Sequence, residues 1–163
     1  MIALTQSYSK YPLFIAVDEE GGGVTRVAAA GLADKQPSPK EIGETGDPNK
    51  AYETGSNIGG YLKELGFNVN FAPVADLSNV EKSIMLDRSY GATAEEVTPY
   101  VLAMMQGLEE QGITACMKHF PGQGNADGDT HAGLASTDRT LEQLRETELK
   151  PFAAGIEAGA QMI

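Results

Sequence analysis

Three short apolar segments, separated by helical patterns, limit what this chain can fold into. Residues 11–18 (YPLFIAVD) and 67–76 (FNVNFAPVAD) each end in an aspartate, and residues 113–117 (ITACM) are followed directly by Lys118 and His119. Apolar runs of this kind are typical of parallel strands buried on both faces. Strands that alternate with helices belong to α/β proteins, because each helix returns the chain to the start of the sheet. The sequence therefore predicts an α/β fold.

The helical patterns lie between and after these runs. An Asp-Pro pair begins a helix predicted over residues 47–65, and Gly66 ends it. A second helix begins at a Thr-x-x-Glu capping signal and occupies residues 93–112, where a glycine ends it. A later helix is predicted to break near Pro151, and residues 161–163 resemble the first residues of a fourth strand.

Charged and polar residues follow the ends of consecutive predicted strands, as on the rim of a (β/α)8 barrel. A doubly wound sheet gives a similar pattern and is the alternative. Residues 28–44 contain Pro and Gly without a clear period, and we predict a loop there. A complete barrel needs about 250 residues. We therefore predict that residues 1–163 form one partial barrel domain of about three to four β/α units.

Composition excludes several classes of partner. The net charge of -11 disfavours nucleic acid and anionic membranes, because like charges repel. No apolar run approaches the roughly 18 residues of a membrane span, and no leader is visible, so we expect a cytoplasmic protein. The single cysteine, Cys116, cannot form an internal disulfide, and we expect a buried thiol.

The richest candidate site follows the third predicted strand. Both histidines of the chain, His119 and His131, lie there, together with Lys118, Asp127 and Asp129. Asp129 and His131 are two residues apart, so in an extended segment they point to the same side. A carboxylate beside an imidazole fixes the tautomer and raises basicity, which suits proton transfer. The alternative is a solvated polar loop.

A metal site is a second interpretation of the same residues, with His119, Asp127, Asp129 and His131 as ligands. Lys118, directly beside them, would oppose a bound cation. A lysine that ends a strand is usually solvated, and this is the simpler interpretation of Lys118.

Acids and arginines after the other strands are also candidates. Asp18 ends the first run, and we interpret Asp76 at the end of the second as a cap of the following turn. The Glu-Glu pair at residues 19–20 excludes a phosphate loop, since its acids would repel phosphate. Arg26 and Arg88 would bind hydroxyl or carboxylate groups, or simply pair with nearby acids.

Five motifs occur in order along almost the whole chain: LFIAVDEEGGGVTRV (13–27), FNVNFAPVADL (67–77), DRSYG (87–91), KHFPGQG (118–124) and GDTH (128–131). Together they resemble glycoside hydrolase family 3, in particular its bacterial β-N-acetylhexosaminidase branch. The chain departs from that branch at Gly23, where arginine is common, and at Gln123, where histidine is common.

The resemblance implies a (β/α)8 catalytic domain that hydrolyses terminal β-linked N-acetylglucosamine with retention, without a metal or organic cofactor. It implies that His131 is the acid/base and Asp129 its partner. It further implies a set of side chains that bind the carbohydrate substrate: Asp18, Arg26, Arg88, Lys118 and His119. The family's aspartate nucleophile belongs to a later segment, which we expect after Ile163.

Three hypotheses remain open from the sequence. The first is the glycosidase, with water or phosphate as the acceptor. The second is a catalytically inert sugar-binding or assembly module, because an incomplete barrel exposes strand edges that pair with a second copy or with the rest of the barrel. The third is a metal-dependent hydrolase.

Overall fold

The computed structural model describes residues 1–78, 80, 83–124 and 136–163. Within these residues the elements are α1 (Ile2–Ser7), β1 (Ala16–Val17), α2 (Pro39–Glu44), α3 (Asn49–Leu65), β2 (Val69–Asn70), α4 (Ala94–Glu110), β3 (Thr114–Ala115), α5 (Leu141–Glu146) and α6 (Lys150–Glu157). Strands and helices alternate along the chain, as predicted.

The three strands form one parallel sheet in the order β1-β2-β3. Val69 in the central strand lies opposite Ala16 on one side and Thr114 on the other. Beyond β3, Cys116 forms a parallel bridge with Met162, where the sequence predicts a fourth strand. The predicted α/β class is therefore confirmed, and the arrangement is that of a partial barrel.

The regular strands are much shorter than the predicted runs. A side chain takes the place of a backbone acceptor before β1, and a proline removes a backbone donor after β2. The Asn68 side chain accepts from the Ile15 N–H at 2.7 Å, just before β1. Pro73, which has no N–H, interrupts the run after β2. Pairing resumes at an isolated bridge between Val74 and Lys118. The predicted runs are thus extended segments with only two ladder residues each.

The two long helices match their predictions closely. Gly66 ends α3 in the left-handed conformation, with φ of 94°. Thr93 and Glu96 form the predicted capping box at the start of α4. The two helices pack against each other, and α4 also packs against β3. Their buried apolar residues include Ile58, Leu62, Val97, Val101, Met104 and Leu108.

One prediction is wrong, because residues 28–44 are not all loop. They include α2, whose first turn is capped by Ser38 and Glu41. Pro39 fits at the start of this helix, where its missing N–H has no partner to lose. The predicted break near Pro151 is confirmed, since α5 and α6 are separate helices. None of the described helices combines the length and the apolar content needed to span a membrane.

Candidate active site

Side chains from three consecutive strand ends meet at the carboxyl edge of the sheet. Asp18 and Glu20 follow β1, Asp76 follows β2, and Lys118 and His119 follow β3. Arg88, from the loop before α4, joins them and contacts both Glu20 and His119.

Glu20 is the central acid of this group. Its side chain is 1 % exposed and binds Arg88 through two hydrogen bonds, from Nε at 2.8 Å and from Nη2 at 2.7 Å. Lys118 Nζ lies 2.6 Å from the same carboxylate, at Oε1. Burial alone would lower the pKa of Arg88, but its hydrogen bond and charge interaction with Glu20 raise it. One buried carboxylate therefore fixes two cations.

Lys118 also contacts Asp18, whose Oδ1 lies 2.6 Å from Nζ. Burial tends to raise the pKa of Asp18, but the hydrogen bond and charge of Lys118, aided by Arg26 and Arg88, lower it overall. The Asp18 side chain is 39 % exposed, whereas that of Lys118 is 13 % exposed. Asp18 is therefore an ionised carboxylate that remains open to a ligand.

His119 lies between a carboxylate and a guanidinium. Its Nδ1 is 2.5 Å from Asp76 Oδ2, and its Nε2 is 3.1 Å from Arg88 Nη2. Asp76 is buried, and its other oxygen accepts the backbone N–H groups of Gln123 and Gly124. The histidine is therefore held from both sides of its ring.

Glu19 organises the loop that carries Arg26. Its buried carboxylate accepts the backbone N–H groups of Arg26, Val27 and Ala28 at distances from 2.6 to 3.0 Å. The Tyr61 hydroxyl of α3 donates a further bond at 3.0 Å. Burial, followed by the negative charge of Glu19, raises the pKa of Tyr61. The tyrosine therefore stays a donor, and the loop is fastened to the helix behind the sheet.

Backbone and amide contacts align the strand ends. The Asn70 side chain accepts from the Glu19 N–H at 3.0 Å and donates to the Glu19 carbonyl at 2.9 Å. Next to it, Lys118 donates its N–H to the Pro73 carbonyl and accepts from the Ala75 N–H. These contacts bring residues far apart in sequence to one edge.

The structure brings together four of the predicted binding residues: Asp18, Arg88, Lys118 and His119. Arg26 lies close enough for its charge to act on Asp18, and it is exposed. The predicted catalytic pair, Asp129 and His131, and the possible ligand Asp127 lie outside the described residues. Within the described ranges, no group of three or more histidine, cysteine or acidic side chains is arranged to hold a metal ion.

Three interpretations from the sequence need correction or extension. Lys118 is not solvated but ion-paired with Glu20 and Asp18. Among the described residues, Asp76 does not cap the turn after its own strand: its side chain accepts the backbone N–H groups of His119, Gln123 and Gly124, in the segment after β3, and it bonds the His119 ring. Glu20 was not among the predicted site residues. The sequence does hold a signal for Glu20, since this acid lies two residues after Asp18, next to the same predicted strand end.

An α/β barrel-type fold with its polar side chains at the carboxyl ends of parallel strands defines the class of barrel enzymes, whose sites lie on that rim. The comparison with known families agrees. Residues 2–163 match the family model described as "Glycosyl hydrolase family 3 N terminal domain", and the chain belongs to this family.

Named relatives show the same similarity. The chain is 38% identical over 161 residues to Beta-hexosaminidase A of Pseudoalteromonas piscicida, covering 96% of the chain and 27% of that protein. The structure of a GH3 family glycosyl hydrolase from Mycobacterium smegmatis superposes with a TM-score of 0.91 at 34% identity, covering 99% of this chain and 48% of the other. NagZ from Neisseria gonorrhoeae, solved in complex with N-trifluoroacetyl-D-glucosamine, gives a TM-score of 0.87 at 30% identity, with 97% and 48% covered. The chain thus spans between about a quarter and a half of the length of these relatives.

Proposed function

We propose that the protein carrying this chain is a retaining glycoside hydrolase that removes terminal non-reducing β-linked N-acetylglucosamine, from peptidoglycan or chitin-type fragments. Family membership and the relatives named β-hexosaminidase support the reaction class. The glucosamine derivative bound to the Neisseria protein supports the sugar. The observation that carries the proposal is the ion-paired cluster of Asp18, Arg88, Lys118 and His119 at the strand ends.

The cluster has hydrogen-bonding groups suited to an uncharged sugar. Arg88 uses Nε and Nη2 for protein contacts, so the two N–H bonds of Nη1 are available for ligand oxygens within the described structure. Lys118 carries three N–H bonds and directs two at carboxylates. The exposed carboxylate of Asp18 accepts from hydroxyl groups. Sugar hydroxyls both donate and accept, so they match this mixed set.

The described residues of the site carry no excess of positive charge. Four carboxylates, Asp18, Glu19, Glu20 and Asp76, stand against three cations, Arg26, Arg88 and Lys118. A phosphate group would find two of the three cations already paired. This favours a neutral sugar ring over a phosphorylated one.

In the proposed mechanism, His131 protonates the departing glycosidic oxygen and then activates water, with Asp129 orienting its ring. A family aspartate, expected in a later segment, attacks the anomeric carbon and forms the covalent glycosyl-enzyme. We assign the described cluster to binding the sugar. Its effect is on binding and orientation.

The full-length protein should hydrolyse a chromogenic β-N-acetylglucosaminide. His131→Ala and Asp129→Asn should each lower kcat by roughly 10²-fold or more, the range of general acid–base catalysis. Asp138→Asn, the same change on an exposed aspartate after the loop, is the matched control and should retain activity.

Undiminished turnover in His131→Ala would contradict the proposal. Binding of N-acetylglucosamine without turnover by the full-length protein would favour the sugar-binding module instead. Parallel reactions with and without inorganic phosphate identify the acceptor, since a phosphorolytic enzyme would release sugar 1-phosphate. Metal analysis of the active protein tests the metal-dependent hydrolase.

A further inference from the structure

We infer that Asp76 holds His119 as the neutral tautomer with its proton on Nδ1, so that Nε2 serves as an acceptor for Arg88. Asp76 is then a positioning residue of the site, acting on a ligand only through His119 and Arg88. The tautomer follows from geometry alone. The consequence for sugar binding rests on the proposed function.

The argument begins at Nε2, which lies 3.1 Å from Arg88 Nη2. An arginine side chain has only donors, so this contact is a hydrogen bond only if Nε2 is unprotonated. A neutral imidazole with Nε2 bare carries its proton on Nδ1. That nitrogen faces Asp76 Oδ2, an acceptor at 2.5 Å. Both neighbours therefore require the same tautomer.

The Asp76 carboxylate is itself fixed. Its side chain has no exposed surface. Oδ1 accepts the N–H of Gln123 at 2.5 Å and that of Gly124 at 3.2 Å, while Oδ2 accepts the His119 N–H at 3.2 Å. Three backbone donors thus point at the carboxylate. The carboxylate cannot rotate away without losing them, so it fixes the plane of the His119 ring.

Arg88 is then held on two sides. Glu20 accepts hydrogen bonds from Nε and Nη2 on one edge, and His119 Nε2 accepts one from the second N–H of Nη2. Among the described residues, Nη1 is the one nitrogen of this guanidinium without a protein partner. A wrong tautomer would place an Nε2–H against the Nη2–H, and the repulsion would displace the guanidinium. We therefore expect the wrong tautomer to weaken substrate binding more than it slows the chemical step.

Asp76→Asn tests this. The backbone N–H groups of Gln123 and Gly124 orient the new amide with its oxygen toward them and its NH2 toward His119. An N–H donor facing Nδ1 favours the Nε2–H tautomer. We expect KM for the chromogenic substrate to rise by roughly tenfold or more, as for loss of a hydrogen bond to a charged group, with a smaller change in kcat. Asp87→Asn, the same change on an exposed aspartate next to Arg88, should leave KM unchanged.

The tautomer is measured directly by ¹⁵N NMR of the histidine rings in the full-length protein. The His119 signals are assigned as those absent from His119→Gln. The wild type should show a protonated Nδ1 and a bare Nε2, and Asp76→Asn should show the reverse. A protonated Nε2 in the wild type overturns the inference, even if Asp76→Asn does not fold.

The positioning role has its own test in a double-mutant cycle. If Asp76 acts through His119, Asp76→Asn should add little to the KM of His119→Gln. Full additivity would show a merely structural effect and overturn the role.

The two proposals also fail separately. A protein that shows the expected tautomer but does not hydrolyse the substrate refutes the glycosidase, whereas hydrolysis with a protonated Nε2 refutes only this inference.

Discussion

Glu20 contacts two cations from other parts of the chain, Arg88 and Lys118. Both cations would stay largely buried if Glu20 were replaced. Arg88 lies 68 residues along the chain, and Lys118 follows β3. A buried ion pair is costly to break, because a remaining charge is poorly hydrated. Lys118 would keep Asp18 as a partner, but Arg88 would lose both of its bonds to a carboxylate.

We therefore expect Glu20→Gln to lower the free energy of unfolding by roughly 3 kcal/mol, measured by urea denaturation. Glu53→Gln is the matched control, since Glu53 pairs with Lys50 at 2.8 Å on the exposed surface of α3. Its loss should cost about 0–1 kcal/mol, because water replaces the partner. Equal effects of the two substitutions would show that burial does not strengthen the Glu20 contacts.

Single residues of the site differ in how well the sequence predicts them. Asp18, Lys118 and His119 could be assigned because they stand directly at predicted strand ends. The partner of a buried charge could not be assigned, since Asp76 meets His119 across 43 residues and no local pattern records that contact. Such pairs depend on the register of the sheet, which the sequence leaves open.

Helices α3 and α4 pack closely, and glycines set the distance. A Cβ on Gly107 would lie 2.3 Å from the Tyr52 carbonyl oxygen, and one on Gly55 would lie 2.4 Å from that of Met104. These carbonyls belong to the facing helix and cannot move without shifting it. Added volume at such a contact is destabilising.

Gly107→Ala should therefore lower the free energy of unfolding by about 1–3 kcal/mol. Gly60→Ala in α3 provides the control, because a Cβ there meets nothing within 4 Å. That change should raise stability by about 0.5–1 kcal/mol through better helix propensity. Chemical denaturation of both variants measures the difference. Stabilisation by Gly107→Ala would mean that the helices lie further apart than described.

The long helices could be predicted from the sequence, whereas the short helix α2 and the strand lengths could not. Helices α3 and α4 have full amphipathic faces and local end signals, such as Gly66 and the Thr93 capping box. The six-residue α2 is too short to show a period, and its Ser38–Glu41 capping box lies among prolines that favour a loop. Strand length was overestimated because apolar content records burial but not backbone pairing.

At the scale of the whole molecule, β1 is one of the two outer strands of the described sheet, and the other, β3, is followed by the bridge to Met162. Phe14, just before it, is 78 % exposed, and Tyr11 is exposed as well. An open strand edge beside apolar side chains favours pairing with another chain.

We expect residues 1–163 expressed alone to self-associate, as light scattering over a concentration series would show. Phe14→Lys should weaken association, because a charge at an edge opposes pairing. Ile156→Lys, which replaces an exposed apolar residue on α6, should not. A monomer at high concentration would contradict the expectation.

The shared carboxylate of Glu20 has a further consequence for recognition. Arg88 and Lys118 have long side chains, and free chains of this type lose much rotamer entropy when they close on a ligand. Here both are already immobilised by contacts within the protein. If the proposed function holds, the sugar should bind to a preorganised surface, with a smaller entropic penalty and little rearrangement of either side chain.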